Sequence, residues 1–364
     1  IPFFDKFNGY HLKYFNQVIT KPDDNLDDLK LPDCKSSEER REACGKDAVA
    51  ALTDNDTDII WLFGGGNPGD IDTSQQIVIQ FIYEIHRNSI HLHSDRLKEI
   101  NFIPKTMVGY CLLNAVTLYL SGRGLVKAVH GEVANCIHGV AELGPLYKQI
   151  FNQNYHVAEV SELQPENDAA LKMIQHQTEI SGLICGGLLQ LIYHSFLSGI
   201  LMEKMDGVDS VISNRPMILF IELIKCGNEE EIARKLFKLI AENGIQIKAL
   251  AIAHIADNVE NIDGIKREVC TVANTVNIPV VSGLKIGHFS GQTPYLEAPA
   301  TLKFDTSINK LKITYDQDVK KQNLGLLKHI KPEQMWNKKQ LQDNNIEPSK
   351  DNVNNVSDAL CVIL

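Results

Sequence analysis

The chain alternates short apolar runs with longer amphipathic stretches, a pattern that predicts strands alternating with helices. In the first half, Leu112–Leu120 has helical spacing, and Ser36 with Glu39 forms a capping-box pattern that predicts a helix through Ala51. Three apolar runs predict strands: Ile59–Phe63, Thr106–Tyr110 and Lys127–His130. Strands and helices in this alternation are typical of a parallel α/β sheet.

The second half continues the alternation but opens with a glycine-interrupted apolar segment, Ser181–Leu201. The uninterrupted run Met217–Leu223 predicts a buried strand. Asn228 then predicts the start of a helix that runs through Glu242 and ends at Gly244. Further strands are predicted near 248–254 and 278–281, so we expect a mixed α/β domain.

With 364 residues, the chain is long enough for two domains and a tail. The segment Gln164–Asp168 is polar and predicts a loop of the kind found at domain joints. We therefore predict an N-terminal α/β domain at 1–155, a linker at 156–178 and a C-terminal domain at 179–324. Residues 325–364 are rich in Asn, Asp, Gln and Lys, which predicts a flexible tail.

Composition narrows the classes of function. The formal net charge of −10 argues against nucleic acid as a partner, because phosphate binding requires a basic face. The eight cysteines include no CxxC pair, so neither a zinc site nor a dense disulfide framework is predicted, and a reducing compartment is the simpler interpretation. His86, His91 and His93 lack carboxylates or cysteines at ligand spacing and are interpreted as a solvated surface. No metal or organic cofactor is predicted.

Cys111 lies where a predicted strand ends and a predicted helix begins. This is the geometry of a nucleophile elbow, in which a tight turn projects the side chain while the first N–H groups of the helix point at the reacting centre. Such a position favours a thiolate. Free cysteines are nevertheless among the most often buried residues, so a structural role is the common alternative on local sequence alone.

Glu222 and His288 are two further candidates. Glu222 follows the apolar residues of the strand Met217–Leu223, where an unpaired carboxylate is costly to bury, so it needs a partner or an exit to solvent. His288 lies in the loop after the strand predicted at 278–281, and loops at strand ends gather functional groups in α/β folds. An incidental histidine is the alternative there.

These residues stand in motifs that resemble the LD-carboxypeptidase family (peptidase S66). Gly109-Tyr110-Cys111-Leu112 is similar to the family's Gly-Tyr-Ser-Asp around its nucleophilic serine, and Leu219-Phe220-Ile221-Glu222 is similar to its Leu-Phe-Leu-Glu. Gly287-His288 matches its Gly-His pair. Three further segments resemble its His-Gly-Pro, Gly-Gly-Asn-Leu and Arg-Gly-Gly-Tyr-Gly motifs: His130-Gly131-Glu132, Gly186-Gly187-Leu188-Leu189 and Gly64-Gly65-Gly66-Asn67-Pro68. The motifs occur in the same order as in the family, and the resemblance covers roughly residues 38–315.

The resemblance implies a two-domain hydrolase with a Cys111–His288–Glu222 triad, no cofactor and a homodimeric habit. The backbone N–H groups of Leu112 and of Gly65 or Gly66 are then expected to bind the oxyanion, and Gly186 and Gly187 to lie at the substrate site. The implied substrate is a murein fragment cut at the L,D bond of its tetrapeptide, or a peptide-nucleotide amide as in the microcin-immunity branch.

Departures from the family pattern leave a second function open. Cys111 replaces the serine, which preserves covalent catalysis because a thiolate is a good nucleophile. Leu188 replaces an asparagine, and Gly64 and Asn67 replace an arginine and a tyrosine that line the family's cleft. A non-catalytic binding protein that keeps the fold is therefore the alternative.

The last four residues, Cys361-Val362-Ile363-Leu364, match the C-a-a-X pattern for prenylation, and the final leucine favours geranylgeranyl. The sequence before them is not basic, so a single lipid would lack its usual electrostatic help. The alternative is an apolar end that docks on the protein. Prenylation at Cys361 would place the protein on membranes facing the cytosol of a eukaryotic host cell, as an acquired or delivered effector.

Overall fold

The computed structural model of the protein describes helices and strands from both halves of the chain. The described residues are 37–54, 57, 59–62, 78, 82–88, 104–109, 111–123, 125–131, 160–197, 215–224, 228–256, 259–284 and 299–315. The tail predicted at 325–364 lies outside them.

Six helices and ten strands have described bounds. The helices are α1 (Ser37–Thr53), α2 (Asn114–Gly122), α3 (Asp168–His176), α4 (Leu189–Leu197), α5 (Glu229–Glu242) and α6 (Ile262–Thr275). The strands are β1 (Ile59–Trp61), β2 (Lys105–Gly109), β3 (Val126–His130), β4 (Val160–Pro165), β5 (Ile180–Leu188), β6 (Met217–Leu223), β7 (Ile247–Ile255), β8 (Val280–Ser282), β9 (Pro299–Asp305) and β10 (Lys310–Tyr315). A short 3₁₀ turn, Cys111–Leu113, joins β2 to α2.

The first half contains a parallel sheet in the order β1-β2-β3. All five residues of β2 are buried, and residues 114–120 of α2, which packs on β2 and β3, are buried as well. Apolar runs of this kind form strands and helices that are covered on both sides. The parallel α/β sheet predicted from the sequence is confirmed.

The second half forms a closed sheet in the order β10-β4-β8-β7-β6-β5-β9. Strands β5 to β8 run parallel to one another, and β9, β10 and β4 complete the sheet with antiparallel pairs. Every residue of β6 is buried, which explains why its sequence is an almost continuous apolar run. The mixed α/β character predicted for this half is confirmed.

The loop predicted at Gln164–Asp168 is shorter than predicted, because only Glu166 and Asn167 lie between β4 and α3. Residues 160–165 form β4, which pairs with β8 and β10, and Asn167 caps α3 by accepting a hydrogen bond from the Ala170 N–H (3.1 Å). The segment is polar because β4 has exposed positions such as Gln164 and because asparagine is a preferred cap. Most of the stretch predicted as a linker, 156–178, is thus strand and helix, and the division of the chain into domains stays a prediction.

The surface interpretation of His86 is also wrong. His86 is buried, and its Nδ1 lies 2.8 Å from the Tyr119 hydroxyl and 2.7 Å from Nη1 of Arg123. The arginine and the tyrosine offer polar partners that allow an imidazole to be buried, a circumstance that local sequence does not reveal. His91 and His93 lie outside the described residues.

Among the described residues, no helix combines the length and apolar character needed to cross a membrane. Within the same residues, no group of three or more histidine, cysteine and acidic side chains is arranged to hold a metal ion.

Candidate active site

Cys111 occupies the turn between β2 and α2 with a φ of 60°, in the left-handed region. A non-glycine residue rarely adopts this conformation, and such strain is concentrated at functional sites. The residue as a whole is partly exposed. These are the features predicted for a nucleophile elbow, with the cysteine between the end of a parallel strand and the start of a helix.

Two further cysteines whose side chains are described, Cys185 and Cys270, differ from Cys111. Cys185 is buried within β5. Cys270 is half-buried on α6 and donates a hydrogen bond to the carbonyl of Glu166 (3.4 Å). Burial, with a smaller contribution from the Glu166 carboxylate, raises the pKa of the Cys270 thiol to about 11. Cys270 is therefore almost entirely protonated at neutral pH and serves as an internal reference thiol.

Glu222 is fully buried near the end of β6, so the alternative in which this strand end reaches solvent is wrong. Its Oε1 lies 2.5 Å from Nε2 of His130. A carboxylate can be buried when a charged or hydrogen-bonding partner compensates for the lost water. His130 supplies that compensation.

His130 reaches Glu222 from the first sheet. It is the last residue of β3, where it pairs with Gly109 of β2, two residues before Cys111. The ring is also buried and packs edge-on against Phe220, with ring centroids 5.2 Å apart. Because Phe220 and Glu222 are two residues apart on β6, they face the same side of the strand, which is the side that His130 contacts.

Asn114, the first residue of α2, connects His130 to the closed sheet. Its Oδ1 lies 3.1 Å from Nδ1 of His130, and its Nδ2 donates to the carbonyl of Gly186 on β5 (2.5 Å). Asn114 is buried. A continuous chain of hydrogen bonds therefore runs from the Gly186 carbonyl through Asn114 and His130 to Glu222.

The glycine pair of β5 makes this approach possible. A Cβ at Gly187 would overlap Nδ2 of Asn114, and a Cβ at Gly186 would overlap the carbonyl oxygen of Phe220. Both residues also have a φ near +155°, which side chains rarely adopt. The described contacts thus give both glycines a packing role, and their part in substrate binding stays a prediction.

Several predicted site residues lie outside the described part of the chain. These are Gly65, Gly66, His288 and Cys361. Leu112 lies inside the Cys111–Leu113 turn, where its backbone follows the cysteine directly. The structure thus brings Glu222 together with His130 and Asn114, while the position of His288 and the oxyanion assignments stay predictions.

Neither His130 nor Asn114 was among the predicted site residues, although the sequence contains a signal for His130. The predicted strands Thr106–Tyr110 and Lys127–His130 are parallel neighbours, so the residues at their carboxyl ends share one edge of the sheet. A histidine at that edge and a carboxylate that needs a buried partner are natural candidates for a pair. Asn114 had no comparable signal, because an asparagine at the start of a helix is usually a cap.

No family model matches the chain, and no curated protein is found to be similar. Solved structures do align with most of it. The muramoyltetrapeptide carboxypeptidase from Oxalobacter formigenes aligns with a TM-score of 0.46 at 15% identity, covering 75% of this chain and 82% of its own. The MccF-like protein from Streptococcus pneumoniae, solved with AMP, aligns with a TM-score of 0.49 at 16% identity, covering 77% and 85%.

The microcin C7 self-immunity protein MccF, in complex with aspartyl sulfamoyl adenosine, aligns with a TM-score of 0.48 at 13% identity, covering 76% of this chain and 81% of its own. The chain is similar in structure to these proteins. These proteins are a muramoyltetrapeptide carboxypeptidase and microcin-immunity proteins, the kinds of protein that the sequence motifs resemble. At these identities and TM-scores the likeness assigns neither a substrate nor catalytic residues to this chain.

Proposed function

We propose that the chain is an LD-carboxypeptidase-like hydrolase that cleaves a peptide or amide bond with Cys111 as the nucleophile, His288 as the base and Glu222 as the carboxylate that orients the imidazole. Two separate observations carry the proposal: Cys111 is partly exposed and left-handed at a strand-to-helix turn, and Glu222 is fully buried and hydrogen-bonded to His130. Both features are typical of catalytic groups held in place by their surroundings.

In the proposed reaction, Sγ of Cys111 attacks the carbonyl carbon as His288 takes the thiol proton. The tetrahedral intermediate collapses to a thioester, and the protonated His288 gives its proton to the leaving amine. His288 then takes a proton from water, whose oxygen attacks the thioester carbon. Release of the carboxylic acid product returns the proton to the Cys111 thiolate, so the enzyme is regenerated.

Oxyanion stabilisation is assigned to backbone groups. We assign the N–H of Leu112, which follows the nucleophile directly, and the N–H of Gly65 or Gly66. The start of α2 close to Cys111 adds a favourable dipole for negative charge. The substrate implied by the motif resemblance is the L,D bond of a cell-wall tetrapeptide, and a peptide-nucleotide amide is the related alternative.

The proposal is tested by the rate of alkylation of Cys111 relative to Cys270 in the same molecule at neutral pH. An activated Cys111 should react at least about tenfold faster than Cys270, and Glu222→Gln should remove most of that advantage. Glu179→Gln, at an exposed acidic residue, is the matched control and should leave the ratio unchanged. Equal rates at the two thiols would contradict a hydrolase with Cys111 as nucleophile.

A non-catalytic binding protein is the second candidate, and Leu188 favours it. This residue is buried and apolar beside Glu222 in the β5–β6 register, at the place where the motif pattern has an asparagine. If the site only binds, a murein tetrapeptide should stabilise the protein against thermal unfolding. In that case no free D-alanine should appear.

We also propose prenylation at Cys361, which rests on the C-a-a-X pattern alone. In a eukaryotic cell that expresses the chain, Cys361→Ser should move the protein from the membrane fraction to the supernatant. Cys270→Ser is the control for loss of a cysteine elsewhere. An unchanged distribution would count against a lipid at Cys361.

A further inference from the structure

The hydrogen-bond chain from Gly186 to Glu222 limits which of its nitrogen and oxygen atoms can carry protons. Its four members come from four elements, β5, α2, β3 and β6, and the three side chains are all at most 1% exposed. Water therefore has little access to these hydrogen bonds. Each hydrogen bond must consist of one donor and one acceptor from the protein.

The direction of the chain is set at its Gly186 end. A backbone carbonyl only accepts, so the Asn114 atom that lies 2.5 Å from it must be the amide nitrogen, Nδ2. The opposite orientation of the amide would place two acceptor oxygens against each other. Oδ1 of Asn114 consequently faces Nδ1 of His130, and that ring nitrogen must carry a proton.

With Nδ1 protonated, only two states are left for the His130–Glu222 pair. Either Nε2 also carries a proton and an imidazolium faces a carboxylate, or the ring is neutral and Glu222 carries the proton. The imidazolium state makes two charge-assisted hydrogen bonds, one to the Glu222 carboxylate and one to the Asn114 amide oxygen. The neutral state makes the same contacts without that gain.

We propose that His130 is a positioning residue for Glu222: as an imidazolium it keeps the buried carboxylate ionised and holds it through Oε1 in one orientation. This rests on the proposed function. In the imidazolium state both ring nitrogens of His130 donate, so that His130 is not the base that deprotonates Cys111. Glu222 is a member of the proposed triad, and His130 acts on the triad only through Glu222.

The protonation state is tested by nitrogen NMR on protein labelled with ¹⁵N at histidine. Both ring nitrogens of His130 should give the shifts of a protonated imidazole nitrogen at neutral pH. His130→Gln identifies the signals by their loss, and His176→Gln, at an exposed histidine of α3, is the matched control. A ring with one protonated and one bare nitrogen would overturn the proposal, whatever the reactivity of Cys111.

The positioning role is tested by a double-mutant cycle on the Cys111 alkylation rate, again with Cys270 as reference. His130→Leu should lower the rate at least about tenfold, and His130→Gln, whose amide can still donate to Glu222, should lower it less. In the Glu222→Gln background, either change at His130 should have little further effect on the rate, because the carboxylate through which His130 acts is already absent. Circular dichroism establishes that each variant is folded.

The outcomes separate the two proposals. Fast alkylation that depends on Glu222 but not on His130 overturns the positioning role and leaves the hydrolase proposal intact. Additive losses in the cycle likewise overturn the positioning role. Slow alkylation of Cys111 in the unmodified protein overturns the hydrolase proposal and the role of His130 in it, even where NMR reveals the ion pair.

Discussion

At the scale of single residues, the site depends on conformations and contacts that only certain side chains permit. Cys111 adopts a left-handed φ that costs about 1–3 kcal/mol for a non-glycine residue. Gly186 and Gly187 have no Cβ, which lets the Asn114 amide and the backbone of β6 approach β5 closely. The absence of a Cβ at Gly186 and Gly187 therefore lets Asn114 come within hydrogen-bonding distance of the Gly186 carbonyl.

Replacing Gly187 with alanine should destabilise the protein by about 3 kcal/mol or more, because a Cβ meets Asn114 and the φ of +152° is unfavourable for alanine. Gly244→Ala is the matched control, since Gly244 also has a positive φ but has no atom within 4 Å of the added Cβ. That variant should cost only about 1 kcal/mol. Chemical denaturation measures both, and equal losses would contradict the steric argument.

At the scale of elements, sequence patterns succeeded where a helix or strand is covered by apolar partners. The predicted strand Met217–Leu223 has the same bounds as β6. The helix predicted to run through Glu242 ends at that residue in α5. β9 and β10 were missed although both alternate apolar and polar residues, with Lys303 and Lys312 at polar positions, which is the pattern of a strand with one buried face. Asn228 lies at the start of α5 as predicted, but its side chain makes no capping hydrogen bond.

Asn167 caps α3 and also forms hydrogen bonds that connect this helix to neighbouring elements. Its Oδ1 accepts from the N–H groups of Ala170 (3.1 Å) and Val280 (2.9 Å), while Nδ2 donates to Asn274 Oδ1 (2.9 Å) and to the carbonyl of Ile278 (2.9 Å). One side chain thus joins the start of α3 to β8 and to the end of α6.

Asn167→Ala should therefore lower the free energy of unfolding by about 2–4 kcal/mol, since it removes a cap and leaves buried groups unpaired. Asn228→Ala, at a start position without a capping hydrogen bond, is the control and should change it by less than about 0.5 kcal/mol. Urea unfolding of the two variants gives the comparison. A similar effect at both positions would mean that the bonds of Asn167 contribute little.

At the scale of the whole molecule, the two sheets meet through buried polar groups as well as through apolar packing. Helix α2 belongs to the first sheet yet packs against α4 of the second, and the bonds from Asn114 to Gly186 and from His130 to Glu222 lie at the same junction. A buried polar junction specifies one relative arrangement, because any shift leaves donors or acceptors unpaired.

The free energy of unfolding should fall as pH rises above about 9, because of the thiol of Cys270. Because burial raises the pKa of its thiol to about 11, the unfolded chain loses this proton near its ordinary pKa of 9.0 while the folded protein keeps it. The stabilisation is complete below pH 9 and is lost as pH rises to about 11. Thermal melts of the unmodified protein should therefore decline more steeply over this range than those of Cys270→Ala; parallel curves would contradict the assignment.

The sequence by itself determined the elements whose apolar pattern is local, the parallel sheet of the first half and the strand-to-helix turn at Cys111. It also marked Glu222 as a carboxylate in need of a partner. Only the tertiary structure decided that the partner is His130, 92 residues away in sequence, and that Asn114 orients its ring. Periodicity reports how a segment contacts its surroundings, whereas a pairing between distant segments depends on how the two sheets pack.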